Sequence, residues 1–321
     1  MIAPPDPPGT PRSRRWPALT NSLGDASSPV RRFLAERVTN LSAVQRQYRE
    51  SVGPLRIDLA VGVNPGTLGG AVDWLLRFLL HPAPDLHLAR YGPPRAIAEL
   101  AELLGCRNPY IQDPVGVPLG VFDGPCVGSQ LDLELLARAS WALSLATEVF
   151  RVGPMPGSPL RPLREAPSAR AVDLLDLAPP AAVDQLLKLG AVAVEVLLSA
   201  LTERAGTWTI GPTFTGSVLM NADADFIAAG LLVELKTEIG RKTAGGTRRL
   251  GLERDTLMQL LGYALLDFND EYQLTDIAVF NPRFGHLATW NLRSLLCELT
   301  QHDVDLAEHR AAFRALLGAG R

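Results

Sequence analysis

Hydrophobic and polar positions follow two different periods along the chain, and the period changes near its middle. In the first half, apolar residues recur at helical spacing and predict helices over residues 30–51, 67–80 and 128–153, and in the segment "YGPPRAIAELAELLG". The stretch "RIDLAVGV", residues 56–63, predicts one short strand among these helices. The N-terminal region is therefore expected to be mainly helical.

The second half predicts strands followed by helices. Residues 182–203 form a strongly apolar helical pattern, and the segments "TWTIGPTF", "SVLMNADADFIA" and "LLVELKTE" after it predict three successive strands. Residues 254–270 predict a helix with Asp255 as its N-cap. Residues 274–292 predict a strand, a turn at "NPRFG" and a second strand. This half is expected to be an α/β domain.

Segments poor in apolar periodicity divide the chain. Residues 1–28 are rich in Pro, Ser and Arg, which predicts a disordered tail. Residues 153–170 contain five prolines and predict a linker or a long surface crossing. The expected organisation is thus a mainly helical region of unknown role over 29–152 and a second domain over 171–321.

Composition limits the class of protein. A chain of 321 residues with 47% hydrophobic and 20% charged content can bury a sizeable core. The N-terminus has no apolar signal region and the longest apolar run is interrupted by Glu195, so we expect a cytoplasmic protein without a membrane partner. A net charge of -3 gives no general attraction to nucleic acid, so such binding would require a local basic patch.

The segment "ADADFIAAGLLVELKTE" combines a strand-like pattern with four charged residues. A two-residue turn at Ala229-Gly230 would place Asp225 opposite Glu234 and Asp223 opposite Lys236, all on one face. Opposite Cβ atoms lie about 4.5–5.5 Å apart, so the two carboxylates would repel each other unless a cation such as Mg²⁺ compensates. A solvated hairpin with surface ion pairs is the other interpretation, and a longer turn would shift the pairs.

Three motifs in this half occur along the chain in the same order as the motifs of a known family. Asp225, followed after eight residues by Glu234-Leu235-Lys236, resembles the D…(D/E)XK signature of the PD-(D/E)XK nuclease superfamily, with Ala224 where that signature has Pro. The segment "QLLGY", residues 259–263, resembles the QxxxY motif of its RecB-like branch. Glu195 is similar in position to the superfamily's first-motif glutamate. The resemblance covers about residues 195–293. It implies a restriction-endonuclease-like core, a mixed central sheet flanked by helices.

The resemblance also implies an activity and roles for residues. The chain would be a nuclease that hydrolyses phosphodiester bonds in DNA with Mg²⁺ or Mn²⁺. The metal ligands would be Asp225, Glu234, the carbonyl of Leu235, and Glu195. Lys236 would handle the attacking water, while Gln259 and Tyr263 would contact or position the nucleic acid. Asp223 competes with Asp225 for the metal-binding role.

Several of these residues have an ordinary structural interpretation as well. Glu195 lies seven residues after Lys188 on one helix face and could simply pair with it or reach solvent. Gln259 and Tyr263 are four apart, which is also typical of a helix core contact. The segment over residues 240–254 suits contacts to backbone phosphates, although a solvated loop would have the same composition. Its candidate contacts are Arg241, Lys242, Arg248 and Arg249, with Arg283 a further one.

A second function class remains open from the sequence. The same core could serve a non-catalytic nucleic-acid-binding or assembly subunit, and the N-terminal region could contact other protein subunits. No GxxxxGK[ST] or GxGxxG pattern is present, so the sequence does not indicate a nucleotide-driven motor.

Overall fold

The computed structural model describes residues 16–111, 121–123, 132–246 and 248–319, which form a mixed α/β structure. The helices are α1 (Leu19–Gly24), α2 (Pro29–Ala35), α3 (Leu41–Glu50), α4 (Pro65–Leu80), α5 (Pro94–Leu103), α6 (Leu133–Val152), α7 (Arg161–Glu165), α8 (Ala171–Leu175), α9 (Pro180–Val192), α10 (Ser199–Leu201), α11 (Arg254–Leu266), α12 (Leu292–Thr300) and α13 (Leu306–Ala319). A π-helical turn, Ala193–Leu198, joins α9 to α10. Short 3-10 helices lie at His87–Tyr91 and Thr215–Val218.

The strands form one larger sheet and one small ribbon. They are β1 (Val121–Asp123), β2 (Thr207–Ile210), β3 (Phe226–Ala228), β4 (Leu231–Leu235), β5 (Arg241–Lys242), β6 (Arg248–Arg249), β7 (Asp276–Asn281) and β8 (His286–Asn291). The sheet order is β1-β2-β3-β4-β7-β8, and β4 pairs in parallel with β7 while the other neighbours are antiparallel. The prediction of an α/β class is confirmed at this level.

The hairpin of β3 and β4 has the predicted turn and register. Phe226 pairs with Val233 and Ala228 with Leu231, which leaves Ala229 and Gly230 as the two turn residues. Their φ angles are 45° and 81°, the positive values that a type I′ turn requires. A Cβ on Gly230 would lie 2.8 Å from the carbonyl oxygen of Gln273, so only glycine fits there.

The sheet is buried on both faces, which corrects the expectation of one polar and one apolar hairpin face. Phe226 and Val233 belong to a core that includes α4, α6 and α9. Ile227 and Leu232 belong to a second core with α1, α2, α3 and α11. The hairpin is polar only at its open end, where Asp225 and Glu234 lie, because helices cover the rest.

The N-terminal helices share a core with the sheet. Residues of α4 and α6 pack in the same apolar cluster as β3, β4 and β7. The Pro-rich segment 153–170 contains helix α7, and Leu160 within it is buried. It therefore crosses the surface of a shared core and does not separate two independent cores.

Three local predictions were wrong, and in two of them a distant contact competes with the local sequence pattern. The helix predicted over 30–51 is interrupted, since the backbone N–H groups of Thr39 and Asn40 both donate to the carbonyl of Leu299. Residues 56–63 form no strand, because the N–H of Ile57 donates to the carbonyl of Arg283 at 2.7 Å. Helix α11 begins after Glu253, and Asp255 lies in its first turn and does not cap it.

Part of the predicted disordered tail is folded, and the helix predicted over 67–80 is present. Residues 19–24 of the predicted tail form α1, and Trp16 makes an isolated β-bridge with Met220. Residues 1–15, and the start of the helix predicted over 128–153, lie outside the described residues. The helix predicted over 67–80 is confirmed as α4, which Asn64 caps through its side chain. No helix within the described residues is long and apolar enough to cross a membrane.

Candidate active site

A cleft of about 260 Å³ opens at the end of β4, where it meets α4. Asp225, Leu235 and Lys236 line it from the hairpin, and Asp73 lines it from α4. The exposed Arg151, near the end of α6, lies at its rim. The cleft therefore combines acidic and basic side chains from three parts of the chain.

Close packing of α4 brings Asp73 to this cleft. A Cβ on Gly69 would lie 3.0 Å from the Oγ1 atom of Thr237, so the glycine allows the helix to approach the chain that follows β4. Asp73 is one turn further along the same helix and pairs with Arg77 at 3.0 Å. Both charged groups are largely shielded from solvent, with side-chain exposures of 18% and 12%.

A chain of hydrogen bonds runs from Glu234 into helix α11. The Lys236 ammonium donates to Glu234 Oε1 at 2.8 Å and to Gln259 Oε1 at 3.2 Å. Gln259 Nε2 in turn donates to the Tyr263 hydroxyl at 2.7 Å. Tyr263 is only 3% exposed and stacks on Phe214. Gln259 and Tyr263 thus fix the position of Lys236, and Tyr263 lies in the core and not on a surface that nucleic acid could reach.

Asp225 lies at the other side of the hairpin's open end. Its Oδ2 atom accepts a hydrogen bond from the N–H of Leu235 at 2.6 Å. Burial, together with the charges of Glu234 and Asp73, raises the pKa of Asp225 well above its usual value. Ionised Asp225 is therefore costly unless a positive charge lies beside it.

The pKa values of Glu234 and Lys236 show how the charges balance. Burial raises the pKa of Glu234, which is 5% exposed, although the neighbouring ammonium opposes this effect. Burial also disfavours the charge on Lys236, but the carboxylates of Glu234 and Asp225 outweigh it and raise the pKa of Lys236. Two cations, Lys236 and Arg77, thus lie among the carboxylates of the site, which are Asp73, Asp225, Glu234 and Glu238.

The donor set suits a hard divalent cation in type, but the side chains are not arranged around one. Carboxylate oxygens and a main-chain carbonyl are the donors that Mg²⁺ takes. As they stand, Glu234 is engaged by Lys236 and Asp225 by the Leu235 N–H. Within the described ranges, no group of three or more His, Cys, Asp or Glu side chains is placed to hold a metal ion. The oxygen donors that the site offers are the carboxylates of Asp225, Glu234, Asp73 and Glu238 and the carbonyl of Leu235.

The structure does not bring every predicted residue to the cleft. Glu195 lies in the π-helical turn after α9, is exposed to solvent, and is not among the residues that line the cleft. Asp223 is exposed and makes an isolated β-bridge with Thr213. It does not pair with Lys236, whose ammonium is bound to Glu234.

Asp73 was missed by the sequence analysis, although a signal was present. It interrupts the apolar face of "TLGGAVDWLLRFLL", in the same way that Glu195 interrupts its own helix. A carboxylate inside an apolar helix is expensive to bury and requires a partner. The same signal is present in both helices, and the sequence alone does not distinguish which of them packs beside the hairpin.

The basic segment after β4 folds back as the ribbon of β5 and β6. Arg241 lies opposite Arg249 and Lys242 opposite Arg248. Arg241 pairs with Glu253 at 2.8 Å, and Arg248 donates to the carbonyl of Gly240 at 2.9 Å. Arg283 is 1% exposed and binds main-chain carbonyls, so its place is structural.

Comparisons of the chain with protein-family models, with curated proteins and with solved structures found no match in any of the three. The chemistry of the site therefore has to be argued from the geometry of this chain.

Proposed function

We propose that this protein is a metal-dependent nuclease that hydrolyses phosphodiester bonds in DNA, with a restriction-endonuclease-like core around its cleft. The observation that carries the proposal is the Lys236 ammonium, which lies between Glu234 and Gln259 in a cleft that also contains Asp225 and Asp73. Glu234 and Lys236 belong to the segment that resembles the D…(D/E)XK signature, and Gln259 belongs to the one that resembles QxxxY. Their hydrogen bonding across two elements supports a common role.

Each side chain has a task that its position allows. Asp225, Glu234 and Asp73 offer oxygen donors for Mg²⁺ or Mn²⁺, and the carbonyl of Leu235 would add another. A metal ion bound there would activate a water molecule and offset the charge that develops on the scissile phosphate. Lys236 would orient that water and stabilise the negative phosphate oxygens.

The surroundings of Lys236 support this role. Gln259 restrains the ammonium at 3.2 Å, and Tyr263 restrains Gln259 from inside the core. A positioned cation loses little freedom when substrate binds, and this is a condition for efficient stabilisation of a transition state. Arg151 at the rim is placed to contact a flanking phosphate.

A non-catalytic nucleic-acid-binding or assembly subunit is the alternative. It is favoured by the ion pairs Lys236–Glu234 and Asp73–Arg77, at 2.8 and 3.0 Å, which already compensate much of the charge within the protein. Such a subunit would keep the cleft as part of its scaffold. It would bind nucleic acid equally well with and without divalent cations.

Cleavage assays separate the two functions. Purified protein is incubated with linear duplex DNA, single-stranded DNA and RNA in Mg²⁺, in Mn²⁺ or in EDTA. We expect metal-dependent cleavage of DNA, and we expect Lys236→Ala and Asp225→Asn each to lower the rate by about 10²–10³-fold, as removal of one charge-stabilising group does elsewhere. If the wild type releases no more product than Lys236→Ala on any substrate, the protein is not a nuclease.

Glu195→Gln is the matched control for these variants. It removes the carboxylate of a predicted metal ligand that is exposed and does not line the cleft. Because Glu195 is exposed, the geometry leads us to expect wild-type cleavage. A loss as large as that of Asp225→Asn would instead support the role that the sequence resemblance implies for Glu195.

A further inference from the structure

A groove with a volume of about 780 Å³ has walls rich in arginine. The arginines come from three separate parts of the chain, namely helix α3, the segment after it, and strand β6. They are Arg46, Arg49, Arg56, Arg248 and Arg249. Glu50 is the one acidic side chain among the described residues that line the groove.

Most of these guanidinium groups are free to bind a ligand. Arg46, Arg49 and Arg249 are exposed, and none of their guanidinium groups has a hydrogen bond or ion pair with another described residue. Arg56 pairs with Asp58 at 2.8 Å, and Arg248 donates one bond to a main-chain carbonyl. Three unpaired cations therefore line one groove, in a chain whose net charge is -3.

The pairing of the ribbon adds to this concentration of charge. Arg249 lies directly opposite Arg241, and Arg248 directly opposite Lys242. Like charges opposite each other destabilise a two-stranded pair. A polyanion would remove that repulsion, and a focused positive field would attract it.

The lining indicates which polyanion fits. Single-stranded nucleic acid is usually bound by aromatic side chains on which the bases stack. The only aromatic residue that lines the described part of the groove is Phe284, which is 4% exposed and not available for stacking. Arginines without a stacking platform suit the outer phosphates of a duplex.

Arg283, a buried residue that lines neither cavity, connects the groove to the candidate active site. Arg283 Nε donates to the carbonyl of Thr237 at 2.7 Å, and Thr237 lines the active-site cleft. Its Nη1 atom donates to the carbonyl of Ile57 at 3.0 Å, next to Arg56 of the groove. One buried side chain thus spans the distance between the chain segments that line the groove and the cleft.

We infer that this groove binds the phosphate backbone of duplex DNA and holds it next to the cleft. The binding does not depend on cleavage. Only the expectation that the cleft cuts the bound duplex rests on the proposed nuclease function.

Binding is measured in EDTA by fluorescence anisotropy, with a labelled DNA duplex and its single strand, at 50 to 200 mM salt. The test variant is Arg46→Gln/Arg49→Gln, two exposed changes on α3. The logarithm of the affinity falls linearly with the logarithm of the salt concentration, and each lost phosphate contact reduces that slope by about 0.9. The variant loses two contacts, so its affinity should fall about tenfold less than that of the wild type between 50 and 200 mM salt. Arg249→Gln, on strand β6, should lower the salt slope by about 0.9, so its affinity should fall about 3.5-fold less than that of the wild type.

Arg161→Gln/Arg164→Gln is the matched control, because these two exposed arginines have the same spacing but line a different cleft. It should keep wild-type affinity and slope. The inference is overturned if the wild type does not bind duplex, if it binds single strands more tightly, or if the Arg46/Arg49 variant behaves like this control. Duplex binding with the expected slopes but without cleavage in Mg²⁺ would support the groove and count against the nuclease.

Discussion

At the scale of single residues, the carboxylates at the end of the hairpin determine the character of the cleft. Burial and the negative charge of Asp73 raise the pKa values of both Asp225 and Glu234. Such crowding is unfavourable for folding and is typical of functional sites. Glu234 and Asp73 each have an ion-pair partner and Asp225 has none among the described residues, so we expect a gain in stability when the Asp225 charge is removed.

Asp225→Asn tests this cost. Between the ordinary Asp pKa and the raised folded value, the native protein keeps a proton that the unfolded chain has lost, so the free energy of unfolding falls as pH rises. Asparagine removes the charge and can still accept the Leu235 N–H bond. We expect the variant to be more stable than wild type at pH 7–8 by about 0.5–2 kcal/mol in metal-free urea melts.

The control is Asp176→Asn, an exposed aspartate at the end of α8. It should change the free energy of unfolding by no more than about 0.5 kcal/mol. Equal stability of wild type and Asp225→Asn from pH 4 to 8 would contradict the charge crowding described for the cleft.

At the scale of elements, the β3–β4 hairpin sets the position of the site. Its two-residue turn places Asp225 and Glu234 at the open end, because every pair in the ladder follows from the turn. A slip of one residue would move Glu234 and Lys236 to the other face of the sheet. The turn, far from the cleft along the strand, therefore controls its geometry.

Gly230→Ala is the corresponding test. Its φ of 81° is unfavourable for alanine, and the new Cβ would meet the carbonyl of Gln273 at 2.8 Å. We expect a loss of about 1–3 kcal/mol in the free energy of unfolding, measured by denaturant titration. Gly24→Ala, where no atom lies within 4 Å of the added Cβ, should not destabilise. If both variants are equally stable, the hairpin does not turn at Ala229-Gly230.

At the scale of the whole molecule, the helices before residue 153 complete both the core and the cleft. One apolar cluster includes α4, α6 and strands β3, β4 and β7. The same region supplies Asp73 and Arg151 to the active-site cleft, and Arg46 and Arg49 to the groove. The predicted helical region of unknown role is thus a structural part of the candidate site.

A fragment of residues 171–321 tests this dependence. Without α4 and α6 it exposes the sheet face that carries Val233 and Phe280. We expect the fragment alone to bind a hydrophobic dye and to unfold without a cooperative transition, while the full chain unfolds cooperatively. Co-expression with residues 1–170 should restore a cooperative complex. A fragment that melts like the full chain would show that the second half folds independently.

Interactions between residues that are close in the sequence allow much of the local structure to be predicted from the sequence alone. The Ala229-Gly230 turn, the pairing register, helix α4 and the strand pair after α11 all follow from turn chemistry and from periods of 2.0 and 3.6 residues. Glu234 and Lys236 point to the same face of the sheet because side chains alternate along a strand. These features need only neighbouring residues, so a single sequence is sufficient to predict them.

Only the tertiary structure decided which distant residues meet these elements. It placed Asp73 beside the hairpin and left Glu195 in solvent, although both interrupt apolar helices. It also brought Arg46 next to Arg249, some 200 residues along the chain. Such contacts depend on how helices pack against the sheet, and on close approaches such as Gly69 to Thr237, which periodicity along the chain does not encode.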